Sequence, residues 1–351
     1  MIKKIVIATH VFTPGTSQAF LNYCKKKKFE TLFIGHSIFG NVLTWGFGML
    51  DTFWKVSKTG QKYDLYVGFD NLNAFVGIQL KKLGRVKKII FMTPDYSHTR
   101  FKNKLLNTVY HWLDYYCLKN SDFVWNSSSV MVYEREKRGI LKKYRTKQIM
   151  VPDGTDIVKQ IPFEKRNRYE IIFVGHLKTG MGLEMLMEAF GEVKKKLPYA
   201  KLTIIGSGPI EKKLKIQSVK IKDVEFTGFM GNLKDVYKRL TQAMIAVAPY
   251  EKNALSENTD PGKVKLYLSA GLPMVITKVP LVALEIAKEK CGIAINPSSR
   301  KEFTQALLKL LTNDNLLKQY IKNTQKLTKK YSWDNIFDHA LKGEEIISKK
   351  V

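Results

Sequence analysis

The sequence predicts an α/β fold built from two doubly wound, Rossmann-like domains. Three observations carry that prediction. Short apolar runs ending in Gly, Pro, Asp or His alternate with amphipathic segments along most of the chain. This is the pattern of a parallel sheet that meets its ligand at the carboxyl ends of its strands. A length of 351 residues suits two domains that each bury a core. Pro152 and Gly154 punctuate the middle of the chain, and the polar stretch IPFEKRNR follows them.

The elements follow in order. IVIATHVF, Ile5 to Phe12, reads as the first strand, and Pro14, Gly15, Thr16 and Ser17 turn it into a helix. ETLFIGH, YDLYVGFD and KKIIFMTPD supply further strands, ending near His36, Asp70 and Asp95. Helical periodicity covers about 102–119 and 128–139, on either side of the strand-to-serine turn WNSSS, Trp125 to Ser129. The second domain begins near Tyr169. FVGHL leads through Gly180 and Gly182 to a helix, LTIIGSGP ends in a Gly-rich turn, and VEFTGF and MIAVAPY are two more strands. DPGKVKLYLSAGLPMVIT, Asp260 to Thr277, then reads as polar loop, short helix, Gly271, Pro273 and a fifth strand. A helix start beside such a loop presents free N–H groups and partial positive charge, a site suited to phosphate. From about Asn313 the chain is helical and basic.

Composition narrows the partners. With 44% hydrophobic residues the chain is globular. Against 31 acidic residues stand 59 basic ones, a net charge of +28, and residues 1–150 alone hold 25 Lys/Arg and 9 Asp/Glu. Such a field attracts polyanions. The runs Lys25–Lys28, Lys81 with Lys82, Lys87 with Lys88, and Arg135 through Lys147 alternate with aromatic and leucine residues, which suggests an anionic membrane surface. No nucleic-acid module is recognisable, so nucleic acid is not the expected partner. Cys24, Cys117 and Cys291 are spread singly with no metal spacing, which fits a reduced, cytoplasmic setting. The N-terminus lacks the apolar core and cleavage site of a signal peptide, and no apolar run reaches roughly 18 residues, so a soluble or peripheral protein is expected.

The order of V-G-x-L, I-G-x-G-P, F-x-G and a G-L-P-V-V-like strand resembles the nucleotide-binding half of the GT-B glycosyltransferases, specifically the retaining family 4. The resemblance covers residues 150–335 and extends more weakly over the first half. VPDGTD resembles the family's P-N-G-x-D domain junction, and YSWDN its Y-S-W before a closing helix. It implies two domains facing a cleft: an acceptor domain over 1–152, a nucleotide-sugar domain over 153–330, and a segment 331–351 whose helix crosses back to the first.

By the same resemblance the activity is retaining, metal-independent transfer of a sugar from a nucleoside-diphosphate sugar, with no further cofactor. The acceptor is a membrane-borne glycolipid or a polyprenyl-diphosphate sugar in envelope polysaccharide synthesis, and the protein works at the inner face of the membrane. Gly206, Gly208 and Pro209 either present backbone amides to the diphosphate or form an ordinary turn. Gly175 and His176 end the V-G strand, with Lys178 near the family's diphosphate-clamping positions. Glu257, Asp260 and Lys263 supply acceptors for sugar hydroxyls and a cation for the diphosphate. The family places two glutamates seven residues apart in this loop; counting back from Gly271 those positions read Asn258 and Leu266, and Glu257 is the candidate for the first. The turn at Gly15 either approaches the donor phosphates and the acceptor, as the equivalent turn does in the family, or is a plain strand-to-helix turn. Asp95, with His98 second, is expected near the reacting sugar. Two other readings stay open: a GT-B nucleotide-sugar epimerase, and a non-catalytic member that binds a partner.

Overall fold

The computed structural model describes residues 2–10, 15–36, 42–257 and 260–344. The chain divides into two units, residues 1–152 with 333–351, and residues 153–332. Phe12, Pro14 and Asn258, named in the sequence, lie outside the described residues.

The first unit runs β1 (Lys4–Thr9), α1 (Thr16–Lys26), β2 (Glu30–Gly35), α2 (Val42–Lys58), β3 (Tyr63–Phe69), α3 (Asn71–Lys82), β4 (Val86–Thr93), α4 (Lys104–Asn120), β5 (Phe123–Asn126), α5 (Val130–Lys137) and β6 (Gln148–Met150). Its strands form one parallel sheet in the order β2-β1-β3-β4-β5-β6. The central strands are apolar on both faces because helices cover both. β6 has three residues, too few to carry a readable pattern.

The second unit runs β7 (Glu170–Val174), α6 (Leu183–Lys196), β8 (Lys201–Ile205), α7 (Glu211–Ser218), β9 (Val224–Gly228), α8 (Leu233–Gln242), β10 (Ile245–Ala248), α9 (Ala254–Glu257), α10 (Gly262–Ser269), β11 (Met274–Thr277), α11 (Val282–Lys288), β12 (Gly292–Ile295), α12 (Arg300–Leu311) and α13 (Asp314–Lys330). Its parallel sheet has the order β12-β11-β10-β7-β8-β9. Six strands stand where the sequence suggested five, because GIAI is short and only half-buried at the sheet's edge. Helix starts are capped where the sequence offers Asn or Ser: Asn232, Ser299 and Asn313 each accept a backbone N–H of the first turn.

The closing helix α14 (Trp333–Lys342) belongs to the first unit. Phe337 meets Phe20 edge-on at 5.0 Å between ring centroids and stacks on Trp333 at 5.4 Å. Tyr23 Oη donates to Asp338 at 2.6 Å.

The structure corrects part of the charge reading. Lys26 pairs with Asp334, and Lys27 with Asp338 at 2.7 Å, so half of the Lys25–Lys28 run faces α14. Arg135 is not a surface cation. It is fully buried, bidentate to Asp114 at 2.8 Å and bonded to Asn126, Gln148 and Thr93. One guanidinium fork thereby ties α4, α5 and three strands together, which its place in a basic run concealed.

Candidate functional site

In a doubly wound sheet, ligands gather at the carboxyl ends of the strands where the winding reverses. In the second unit that point lies between β7 and β10, from which the chain winds outward on either side. Three segments converge there. The turn after β7 contains Gly175, the turn after β10 contains Tyr250, and α10 starts beside both. Tyr267 locks them together, accepting from Val174 N at 2.9 Å and donating to Val247 O at 3.1 Å.

Lys263, in the first turn of α10, occupies this point. Its ammonium lies over the Phe173 ring at 4.2 Å and the Tyr250 ring at 4.9 Å, with Met181 Sδ at 3.8 Å. Among the described residues it meets no carboxylate. Burial, and then the charge of Lys178, push its pKa down from 10.5 to about 7. Lys265, two residues on, is the opposite case: fully buried and paired with Asp260. Asp260 also accepts from Asp153 N at 3.2 Å. Asp260 is thus committed to anchoring the loop, while Lys263 has no counter-ion among the described residues. Glue of this kind is costly without an anion; a phosphate beside Lys263 and the α10 start supplies one.

The glycines have a local reason. Gly175 has φ +147°, and a Cβ there would stand 2.7 Å from Lys263 Nζ. Gly206 has φ +137°, and a Cβ would lie 2.0 Å from Gly175 O; at Gly208 it would lie 2.3 Å from Leu177 O. These glycines let the loops after β7 and β8 pass at backbone contact, sealed by Leu177 N to Ser207 O at 2.9 Å. The close approach is to a neighbouring loop of the protein. His176 and Pro209 are exposed, and Lys178 is partly exposed beside them. Glu257 ends α9 and faces Lys252 at 3.5 Å.

In the first unit, Gly15 precedes α1 in extended conformation and is exposed. Asp95 is exposed and pairs with Arg100 at 2.5 Å. His98 turns to Glu134 at 2.5 Å, and its carbonyl accepts from Asn107 and His111. Asp95 and His98 therefore face different partners in a loop-bracing network.

Sequence reasoning missed the groups at the first unit's own reversal point, between β1 and β3. His10 follows β1 and Asp70 follows β3; His10 Nδ1 lies 2.9 Å from Asp70 Oδ2. Asn73 Nδ2 bonds Asp70 Oδ2 at 3.0 Å and Phe69 O at 2.9 Å. Asp70 sits at φ +79°, an uncommon conformation for a residue with a side chain, and accepts Asn73 N at the α3 cap. His10 Nε2 and Asn73 Oδ1 are buried with no partner among the described residues. The two side chains meet at 2.8 Å between Asn73 Nδ2 and His10 Nδ1, and their two orphaned atoms can each take a further hydrogen-bonding partner. The signal was present in THVF and GFDN, at the ends of strands adjacent in the sheet. Only the strand order shows that they meet.

Two parallel doubly wound sheets of this kind define the GT-B architecture. HepE of Anabaena, solved with UDP and glucose, superposes with a TM-score of 0.69 at 13% identity, covering 97% of this chain and 100% of that one. WaaG, a glycosyltransferase involved in lipopolysaccharide biosynthesis, gives 0.62 at 15% identity over 96% and 98%. Residues 168–313, all within the second unit, match the family model described as glycosyl transferases group 1. A relative from Haemophilus influenzae described as an uncharacterized glycosyltransferase is 23% identical over 211 residues, 60% of this chain. The chain spans 58% of that relative's length.

Proposed function

We propose that the protein transfers a sugar from a nucleoside-diphosphate sugar to a membrane-borne acceptor, with retention at the anomeric carbon. The observation that carries this reading is Lys263, which meets no carboxylate among the described residues, at the β7–β10 reversal point and inside the residues that match the group 1 glycosyl transferases. HepE binds UDP and glucose, which favours a uridine donor here. The role of WaaG in lipopolysaccharide biosynthesis favours a lipid-linked glycan acceptor in envelope synthesis, at the inner face of the membrane.

The second unit holds the donor. Lys263, Lys178 and the α10 start face its diphosphate, with Glu257 and His176 available to the sugar. As the bond from C1 to the diphosphate breaks, its electron pair leaves with the diphosphate. The acceptor oxygen bonds C1 on the same face and passes its proton to a departing phosphate oxygen. The cations stabilise charge that is larger at that moment than in the bound donor, which is where stabilisation accelerates the step. They supply this charge without a metal or further cofactor. In the first unit, His10 and Asn73 take a hydroxyl of the acceptor, with Asp95 and His98 further along the same strand ends.

A thermal-shift series with UDP, GDP, ADP, CMP and TDP tests the reading. The expected result is stabilisation by one diphosphate, UDP first, lost in Lys263→Ala. No stabilisation by any nucleotide sinks it. Turnover of free UDP-sugar without acceptor would instead support an epimerase.

A further inference from the structure

The outer faces of α2 and α4 do not look like the solvent side of a soluble α/β domain. Along α2, Leu43, Phe47, Leu50 and Trp54 recur at helical spacing and are between 57% and 72% exposed. On α4, Leu105, Val109 and Trp112 repeat the stripe at 49% to 73%. The two helices flank α3, and Trp45 of α2 packs on Phe101, just before α4, at 5.8 Å between rings. The stripes therefore share one side of the first unit. An apolar area of this extent on a single side marks an interaction surface.

Charge identifies what covers it. Lys55, Lys58, Lys102, Lys104 and Lys119 are exposed at the helix ends around the stripes. Lys58 Nζ lies over the Trp54 ring at 4.6 Å, its stem along apolar surface and its head free to reach outward. The carboxylates on these helices are committed: Asp51 to Lys55 at 2.7 Å, and Asp114, buried, to Arg135. A two-fold dimer through this face would set lysine rim against lysine rim. A bilayer carrying anionic lipid complements both parts, acyl chains under the stripes and headgroup phosphates at the rim.

We propose that α2 and α4 dock the protein on an anionic bilayer, with the side chains of both stripes seated at the headgroup boundary. The proposal rests on the membrane-borne acceptor argued above and names the surface that meets the membrane. It moves the contact away from Lys25–Lys28, where Lys26 and Lys27 are held by α14.

The test is cosedimentation of the full chain with phosphatidylcholine vesicles, with and without phosphatidylglycerol. The expected result is pelleting with the anionic vesicles, at least tenfold weaker with the neutral ones. Phe47→Glu with Leu50→Glu should weaken it at least tenfold and leave the UDP thermal shift unchanged. Lys26→Ala with Lys27→Ala should leave it unchanged. In the unaltered chain, brominated-chain lipids should quench fluorescence that is absent from Trp54→Phe. Equal pelleting with both vesicles, undiminished pelleting of the Phe47/Leu50 variant, or quenching unaltered by Trp54→Phe overturns the proposal. So does a vesicle-free dimer that the Phe47/Leu50 variant splits, which would make the partner a second copy. Vesicle binding with no nucleotide stabilisation supports the docking face and sinks the transferase reading alone.

Discussion

The two units repeat one topology and place opposite chemistry at the same point in it. Each sheet reverses its winding beside its first strand, β1 against β3 and β7 against β10. At the first reversal an imidazole leans on a carboxylate, leaving a ring nitrogen and an amide oxygen without a partner among the described residues. At the second an ammonium lies on aromatic faces with no carboxylate among the described residues. Topology thus selects where a ligand sits, and a few side chains select its charge. A hydroxyl suits the first point and an anion the second.

Mutations at the two points should separate binding from transfer. Lys263→Ala has the largest expected effect: turnover and nucleotide affinity each fall at least tenfold, about 1.4 kcal/mol. Its melting temperature should hold or rise, because a buried cation is removed. Unchanged kinetics in the folded variant would take Lys263 out of the site. His10→Ala should lower transfer by up to about tenfold, the value of one oriented hydrogen bond, while UDP affinity stays within twofold (roughly) of the unaltered chain. Parallel loss of both would erase the contrast between the units.

A proton measures the second point directly. The Lys263 pKa of about 7 lies below its ordinary 10.5. Between those values the unfolded chain binds more protons than the folded one, so this group's contribution to stability rises with pH; its burial cost is complete below about pH 7. A diphosphate beside the ammonium favours the charged form. At pH 8 nucleotide binding should therefore take up about one proton, and at pH 6 almost none. Calorimetry in two buffers of different ionisation enthalpy reads the uptake, and Lys263→Met should abolish it. Identical heats in both buffers at pH 8 would mean that the lysine is already charged or stands apart from the nucleotide.

The smallest effect is expected from Asp95→Asn. Its carboxylate is exposed and engaged by Arg100, so transfer should change by no more than about threefold. A fall as large as that of His10→Ala would return Asp95 to the reacting sugar.

The α/β class and the strand runs of both units were legible in the sequence, because they rest on local rules: apolar period, turn residues, and Gly or Pro where a strand ends. Lys263 was legible for the same reason, as a cation at a helix start after a polar loop. The GSGP turn was legible as a Gly-rich turn; that Gly206 and Gly208 lie against the backbone of the loop after β7 was not.

Tertiary structure alone decided which charges and which apolar faces were already taken. Arg135 read as part of a basic surface run and Asp260 as ligand-facing, and each is spent on an internal partner, Asp114 for the one and Lys265 for the other. His10 and Asp70 are sixty residues apart and meet because β1 and β3 pair. The spacing of Leu43, Phe47, Leu50 and Trp54 shows one helical face, and periodicity cannot say whether that face meets the sheet or the outside. A sequence records which groups are present along the chain. Their partners depend on strand order and helix rotation, and a side chain's chemistry depends on whether a partner remains for it.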